Sequence, residues 1–167
     1  MKIKLALLIL SAVLLSCGKD HNNSNIVVTG ILTDCPANTT CTYNYSDNAD
    51  YTTSPLQTAH GNYRVFVYKS VNANSCDEIA LLYFKTSLSN NNFDINASEI
   101  ASGQTVTYGS SCTCCEMIAV KPIGGEIKGK RTDASHWLIN ATIILGGSDN
   151  KPVFTLTVNQ YFTVKSL

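Results

Sequence analysis

Six cysteines fall in the body of the chain: Cys35, Cys41, Cys76, Cys112, Cys114 and Cys115. Thiols offer three kinds of chemistry, namely covalent pairing, soft-metal coordination and thiol exchange. An even number in an exported protein reads as three disulfides, and six cysteines allow 15 pairings. Cys114 and Cys115 are adjacent, and Cys112 to Cys114 along a strand lies near the ~7 Å limit for a bridge. The simplest arrangement therefore joins each of the three clustered cysteines to one of Cys35, Cys41 and Cys76. A local Cys35–Cys41 bridge is the main competitor. The alternative is a metal or redox site, since Cys112, Cys114, Cys115 and Met117 put three thiols and a thioether within six residues, a soft set suited to Cu(I) or Zn(II). Against it, no histidine lies near the cluster, and thiol exchange calls for a C-x-x-C at a helix N-terminus, which the sequence does not offer.

Other catalytic sets are scarce. The histidines are His21, His60 and His136. Asp133, Ser135 and His136 carry the side chains of a Ser-His-Asp relay, but neighbours along a strand point to opposite faces, so the relay is not expected to assemble. No G-x-S-x-G elbow, H-E-x-x-H helix, phosphate loop or G-x-G-x-x-G turn occurs, and Gly124-Gly125 reads as a turn. Asp47-Asn48-Ala49-Asp50 lacks the glycine and distal glutamate of a calcium loop and reads as a solvated loop. No enzyme activity and no cofactor are expected. Tyr43, Tyr45 and Tyr51 are the better binding candidates, because tyrosines in polar loops present rigid amphipathic surface. Trp137, which alternates with Ile139 and Ile143, reads as a core plug.

The elements that must position these residues are strands. Only 14% of the chain is charged, yet Asn, Ser and Thr number 16, 16 and 17, a composition of turns and strand faces rather than of solvated helices. Apolar residues recur with period two over Ile26 to Thr33, Tyr63 to Lys69, Gln104 to Tyr108 and Met117 to Lys121. Glu126 to Thr132, with Lys128, Lys130 and Arg131, reads as an edge strand. Asp77 to Lys85 fits a strand better than a helix that Ser75 would cap. Trp137, Ile139, Ala141, Ile143 and Leu145 on one strand, and Phe154, Leu156, Val158, Phe162 and Val164 on the next, form a long antiparallel hairpin around a Gly-rich turn. Eight or nine short strands predict an all-β fold, an antiparallel β-sandwich of immunoglobulin-like or prealbumin-like type, with a closed β-barrel as second choice.

The first residues read as an address. A basic start, an apolar run from Leu5 to Leu15 and the sequence Leu14-Leu15-Ser16-Cys17 resemble the signal peptide and lipobox of bacterial lipoproteins. The resemblance implies cleavage after residue 16 and a lipid on Cys17, which becomes the first residue of the mature chain. Two or three acyl chains would hold such a protein on a bilayer almost permanently. Gly18, where many Gram-negative lipoproteins carry an aspartate that retains them at the inner membrane, favours the outer membrane. The expected organisation is a signal peptide over 1–16, a lipidated cysteine and tether over 17–25, and a single β domain over 26–167. The segments VVTGILTD, NNFDIN and GGEIKGKR with the closing hairpin further resemble small lipoproteins of Bacteroidetes-type bacteria, a likeness that implies location and shape but assigns no functional residue.

Formal net charge is zero with no basic run, which argues against a nucleic-acid partner. The partners expected are the membrane, through the N-terminal lipid, and an envelope protein or glycan, with the domain facing the periplasm or the cell surface. A lipocalin-like carrier would additionally need the strands to close around a cavity.

Overall fold

The computed structural model describes residues 28–74 and 76–167. The signal peptide over 1–16, Cys17 and the tether over 17–25, residues 26–27 of the domain and the cap at Ser75 lie outside the described residues.

The all-β expectation holds. Nine strands form one sheet: β1 (Thr39–Thr53), β2 (Leu56–His60), β3 (Tyr63–Asn72), β4 (Glu78–Ser87), β5 (Asn92–Ile95), β6 (Val106–Ser111), β7 (Lys121–Arg131), β8 (His136–Gly146) and β9 (Pro152–Val164). Among the described residues one short helix, α1 (Ala97–Ala101), follows β5, with Asn96 accepting from the N–H groups of Ser98 and Glu99 while Glu99 reaches back to the Asn96 N–H, a closed capping box. The strand order is β5-β7-β8-β9-β1-β3-β4-β6, with β2 added on β1. Every pairing is antiparallel except β1 with β9, which is parallel through Asn44 and Tyr45. The hydrogen-bonded strands are therefore one mixed sheet. It does not close into a barrel by hydrogen bonds, since among the described residues no ladder joins β6 to β5 or β7.

The sheet curls until its two halves face each other. Phe66 of β3 and Phe84 of β4 stack on each other and meet rings of the opposite half edge-on or tilted, with Phe66 to Trp137 at 5.5 Å and Phe84 to Phe93 at 6.2 Å. Trp137, Ile139, Ala141, Ile143 and Leu145 are all buried on one face of β8, as the alternation predicts. Their β9 partners follow only in part: Val158 and Phe162 are buried, while Phe154 and Val164 stand exposed. On β3 the inner residues are Arg64, Phe66 and Tyr68, and the Tyr63, Val65 and Val67 face points outward. That outer face is covered too. β1 runs past the sheet and turns back through β2, so that Tyr51 and Leu56 pack with Val65 and Tyr83 in a second, smaller apolar cluster.

Several segments depart from the sequence reading. Residues 28–33 of the run from Ile26 form no strand; this arm lies along β9, where the Asn159 amide donates to the Ile31 carbonyl at 2.9 Å and the Thr33 N–H donates to the Asn159 carbonyl at 2.9 Å. Residues 117–120 are not strand either, and β7 begins at Lys121. β7 is not an edge, because the four-residue β5 pairs along it over Asn92 to Ile95. Gly124-Gly125 is no turn but a bulge inside β7, where the register to β8 shifts between Pro122 and Gly124. The Asp77 to Lys85 run is a strand rather than a helix, within β4 from Glu78 onward.

Candidate functional site

The core has two differently finished ends. Register places Arg64 opposite Thr86, and Tyr68 opposite Leu82 and hence Tyr108, four residues or ~13 Å further along the strands. At the first end Arg64 is a plug. Its guanidinium donates to both carboxylate oxygens of Asp47, at 2.6 and 3.0 Å, and to the Asn90 carbonyl at 3.2 Å, while lying over the Trp137 ring. Asp47 is thus committed to Arg64, and Asp50 to Lys85 at 2.9 Å. The 47–50 segment is accordingly no solvated loop but a bulge in β1, with Asn48 in the left-handed region at φ 53°.

At the second end lies an apolar cleft of about 460 Å³. It is lined by Tyr108 and Ser110 of β6, Glu78 at the start of β4, and Val153 and Phe154 at the start of β9. The rest of its wall is the 112–120 segment, which crosses from β6 to β7 and contributes Cys115, Glu116, Met117, Ile118 and Val120. Ile118 is 70% exposed, Val153 49% and Phe154 42%, an apolar surface open to solvent. Tyr108 packs edge-on against Phe154 with ring centroids 6.1 Å apart. Burial, and then the Glu78 charge, push the Tyr108 phenol up, a bond with Ser110 opposing them, so the phenol is neutral at physiological pH.

Disulfides hold this wall. Cys76 in the β3–β4 turn bonds Cys114, and Cys112 bonds Cys115, with Cα atoms 5.8 and 5.6 Å apart. The third bridge is Cys35–Cys41, at 5.8 Å. The simplest arrangement expected from sequence is corrected here: only Cys76 reaches the cluster, the local Cys35–Cys41 competitor forms, and Cys112 and Cys115 pair with each other. Their C-x-x-C spacing was the available signal, because a turn brings residues three apart within bridging reach where a strand does not. With Cys112, Cys114 and Cys115 all bonded to sulfur, the three-thiolate metal set with Met117 does not exist in this oxidised state; Met117 lines the cleft instead.

Asp133, Ser135 and His136 do meet, against expectation. Asp133 and Ser135 stand in the turn before β8 rather than along it, so alternation does not separate them. Yet Ser135 Oγ at 3.0 Å and both Asp133 oxygens at 2.9 Å all address the same ring nitrogen, His136 Nδ1. A relay needs the hydroxyl on one nitrogen and the carboxylate on the other, so this cluster ties the turn and does not activate the serine. The Ser135 N–H foremost, and then His136, hold the Asp133 carboxyl down to about 2.

The tyrosine candidates are packing residues. Tyr43, Tyr45 and Tyr51 lie on β1, not in a polar loop. Tyr45 is buried, Tyr43 stacks on Tyr68 at 5.5 Å, and Tyr51 covers Tyr83 on the outer face. A polar cavity of about 370 Å³ beside α1, with Thr86, Asp94 and Glu99 in its lining, lies where β4 and β5 part. Burial, Glu126 and Glu99 push the Asp94 carboxyl up against Lys128.

Compared with known proteins, the chain matches no family model, no curated protein and no solved structure.

Proposed function

We propose that the chain is a lipid-anchored protein of the bacterial cell envelope, on the outer membrane and facing the periplasm or the cell surface, whose disulfide-bonded β domain is a non-catalytic binding or structural module. Cys17 carries the lipid, and the partner is an envelope protein or glycan. The two facing halves of the curled sheet serve as the layers of an immunoglobulin-like or prealbumin-like sandwich.

The observation that carries this reading is the cysteine inventory. Of seven cysteines, the six in the body pair off as three disulfides, and the odd one is the cysteine that ends the lipobox. Three disulfides belong to an oxidising compartment. The non-catalytic part rests on the Asp133, Ser135 and His136 geometry and on the commitment of Asp47 and Asp50 to cations. The cleft walled by residues 115–120 is the surface we assign to binding.

The test is metabolic labelling with a clickable palmitate analogue in a bacterium that processes lipoproteins. The full chain is expected to label and to sediment with membranes, and Cys17→Ser to do neither. Equal labelling of the two would overturn the anchor. Intact mass under denaturing, non-reducing conditions is expected to show no alkylation of the six body cysteines; alkylation of Cys112, Cys114 or Cys115 would reopen the metal reading.

A further inference from the structure

The cleft at the open end of the core is chemically one-sided. Tyr108, Met117, Val120 and Phe154 line it, and the lining includes two carboxylates, Glu78 and Glu116, but no lysine or arginine. Neither carboxylate forms an ion pair among the described residues, whereas Asp47, Asp50, Glu126 and Asp149 each hold a lysine or arginine elsewhere in the fold. Glu78 is half-buried at the start of β4 and Glu116 is exposed on the disulfide-pinned segment, and both line the same cleft as the apolar residues. The volume is that of a small-molecule pocket rather than of a protein interface.

We infer that this cleft binds a small amphiphilic cation, an apolar body carrying one ammonium or guanidinium group. The apolar part displaces water from Tyr108, Met117 and Phe154, and the cation settles between Glu78 and Glu116, which hold no ion pair among the described residues. Without the cation, desolvating the rim carboxylates would oppose binding; with it, each gains a charge-assisted hydrogen bond. A carboxylate on the same apolar body would be repelled by both. Because residues 112–115 are crosslinked to each other and to Cys76, the wall is set before the ligand arrives, which reduces the ordering cost of binding. The inference rests on reading the cleft as the module's binding surface and adds the class of ligand.

The experiment uses the full chain in phospholipid nanodiscs with labelled Ile and Met methyl groups, titrated with hexylamine, hexanol and hexanoate, probes short enough to partition weakly into lipid. Saturable shifts at the Met117 and Ile118 methyls are expected for hexylamine, with an apparent affinity at least about tenfold above that for hexanoate and hexanol between the two. In the Glu78→Gln, Glu116→Gln double variant the three probes are expected to converge on the hexanol value, and Phe154→Ala to weaken all three together. Hexanol binding as tightly as hexylamine would overturn the cationic ligand while leaving the cleft a binding surface. No saturable shift with any probe would overturn both. A double variant that kept the amine preference would place the cation elsewhere and overturn the role of the two carboxylates.

Discussion

The guanidinium carbon of Arg64 lies 4.7 Å from the ring centroid of Trp137. One residue belongs to β3 and the other to β8, so this contact spans the two halves of the curled sheet at the end away from the cleft. The Arg64 side chain is only 5% exposed, and its charge is neutralised by Asp47, whose side chain is 41% exposed. The arrangement keeps the cation dry and the anion wet, which lowers the desolvation cost of the pair compared with burying both.

Arg64→Ala is expected to cost about 2–3 kcal/mol in urea denaturation, through lost packing on Trp137 and lost bonds to Asp47 and the Asn90 carbonyl. Asp47→Asn is expected to cost less, about 1–2 kcal/mol, because an amide still accepts from the buried guanidinium. A loss under about 1 kcal/mol for Arg64→Ala would mean that the halves are joined without it.

Gly124 and Gly125 are neighbours in the β7 bulge with opposite tolerances. Gly125 has φ +121°, and a Cβ there would sit 2.0 Å from the Thr142 carbonyl oxygen, a backbone atom that has nowhere to go. A Cβ on Gly124 meets nothing nearer than 4.0 Å. Gly125→Ala is therefore expected to lose about 3 kcal/mol or more, or to fail to fold, while Gly124→Ala stays within about 1 kcal/mol of the parent. Thermal melts of the two variants decide it, and equal melting temperatures would contradict the bulge.

Much of this was legible from the sequence, and the failures have physical causes. β8 and β9 were readable because their apolar residues alternate with polar ones, and β3 and β4 because they are short apolar runs covered on both faces, with Phe66, Leu82 and Phe84 inside and Val65 and Tyr83 outside. β1 was not, since its fifteen residues TTCTYNYSDNADYTT contain no aliphatic run; tyrosines build its inner face, and a tyrosine in a core is indistinguishable by type from one on a surface. The Lys-rich β7 read as an edge because its charges point outward, yet a β-ladder uses only backbone groups, and Asn92 to Ile95 pair with it regardless. The cleft is half visible in the sequence, since the cysteine cluster and Met117 stand out there, but as a site of thiol chemistry rather than as a wall. What was hidden is that Glu78, Tyr108 and Phe154, up to 76 residues apart in sequence, come to the same mouth once the sheet curls.

The three disulfides are expected to rank by the loops they close. Sequence separations are 38 for Cys76–Cys114, 6 for Cys35–Cys41 and 3 for Cys112–Cys115. Chain-entropy bookkeeping gives losses of about 4, 2 and 1.5 kcal/mol on replacing each pair by alanines. Chemical denaturation of the three paired variants tests the order. If removing Cys112–Cys115 proved the costliest, that bridge would be holding native contacts in the cleft wall and not merely shortening the unfolded chain.

Tyr51 ties the outer flap to the sheet and should make stability fall in alkali. Its hydroxyl donates to the Gln104 carbonyl at 3.2 Å, its ring packs on Tyr83, and the Lys85 ammonium lies 5.0 Å from its centroid. Burial first, and the Asp50 charge second, push the phenol from 10.0 up to about 12. The folded state thus holds this proton more tightly than the unfolded chain does. The resulting stability is fully present below pH 10 and is lost as pH rises through about 12. Ultraviolet titration of phenolate is expected to show one late-titrating tyrosine missing from Tyr51→Phe, and the variant's stability to fall less steeply over that window. It should also be weaker at neutral pH by about 1 kcal/mol, the worth of the bond to Gln104. Superimposable titrations of parent and variant above pH 10 would show that the flap leaves Tyr51 open to water, and the second apolar cluster would then be no cover for the sheet.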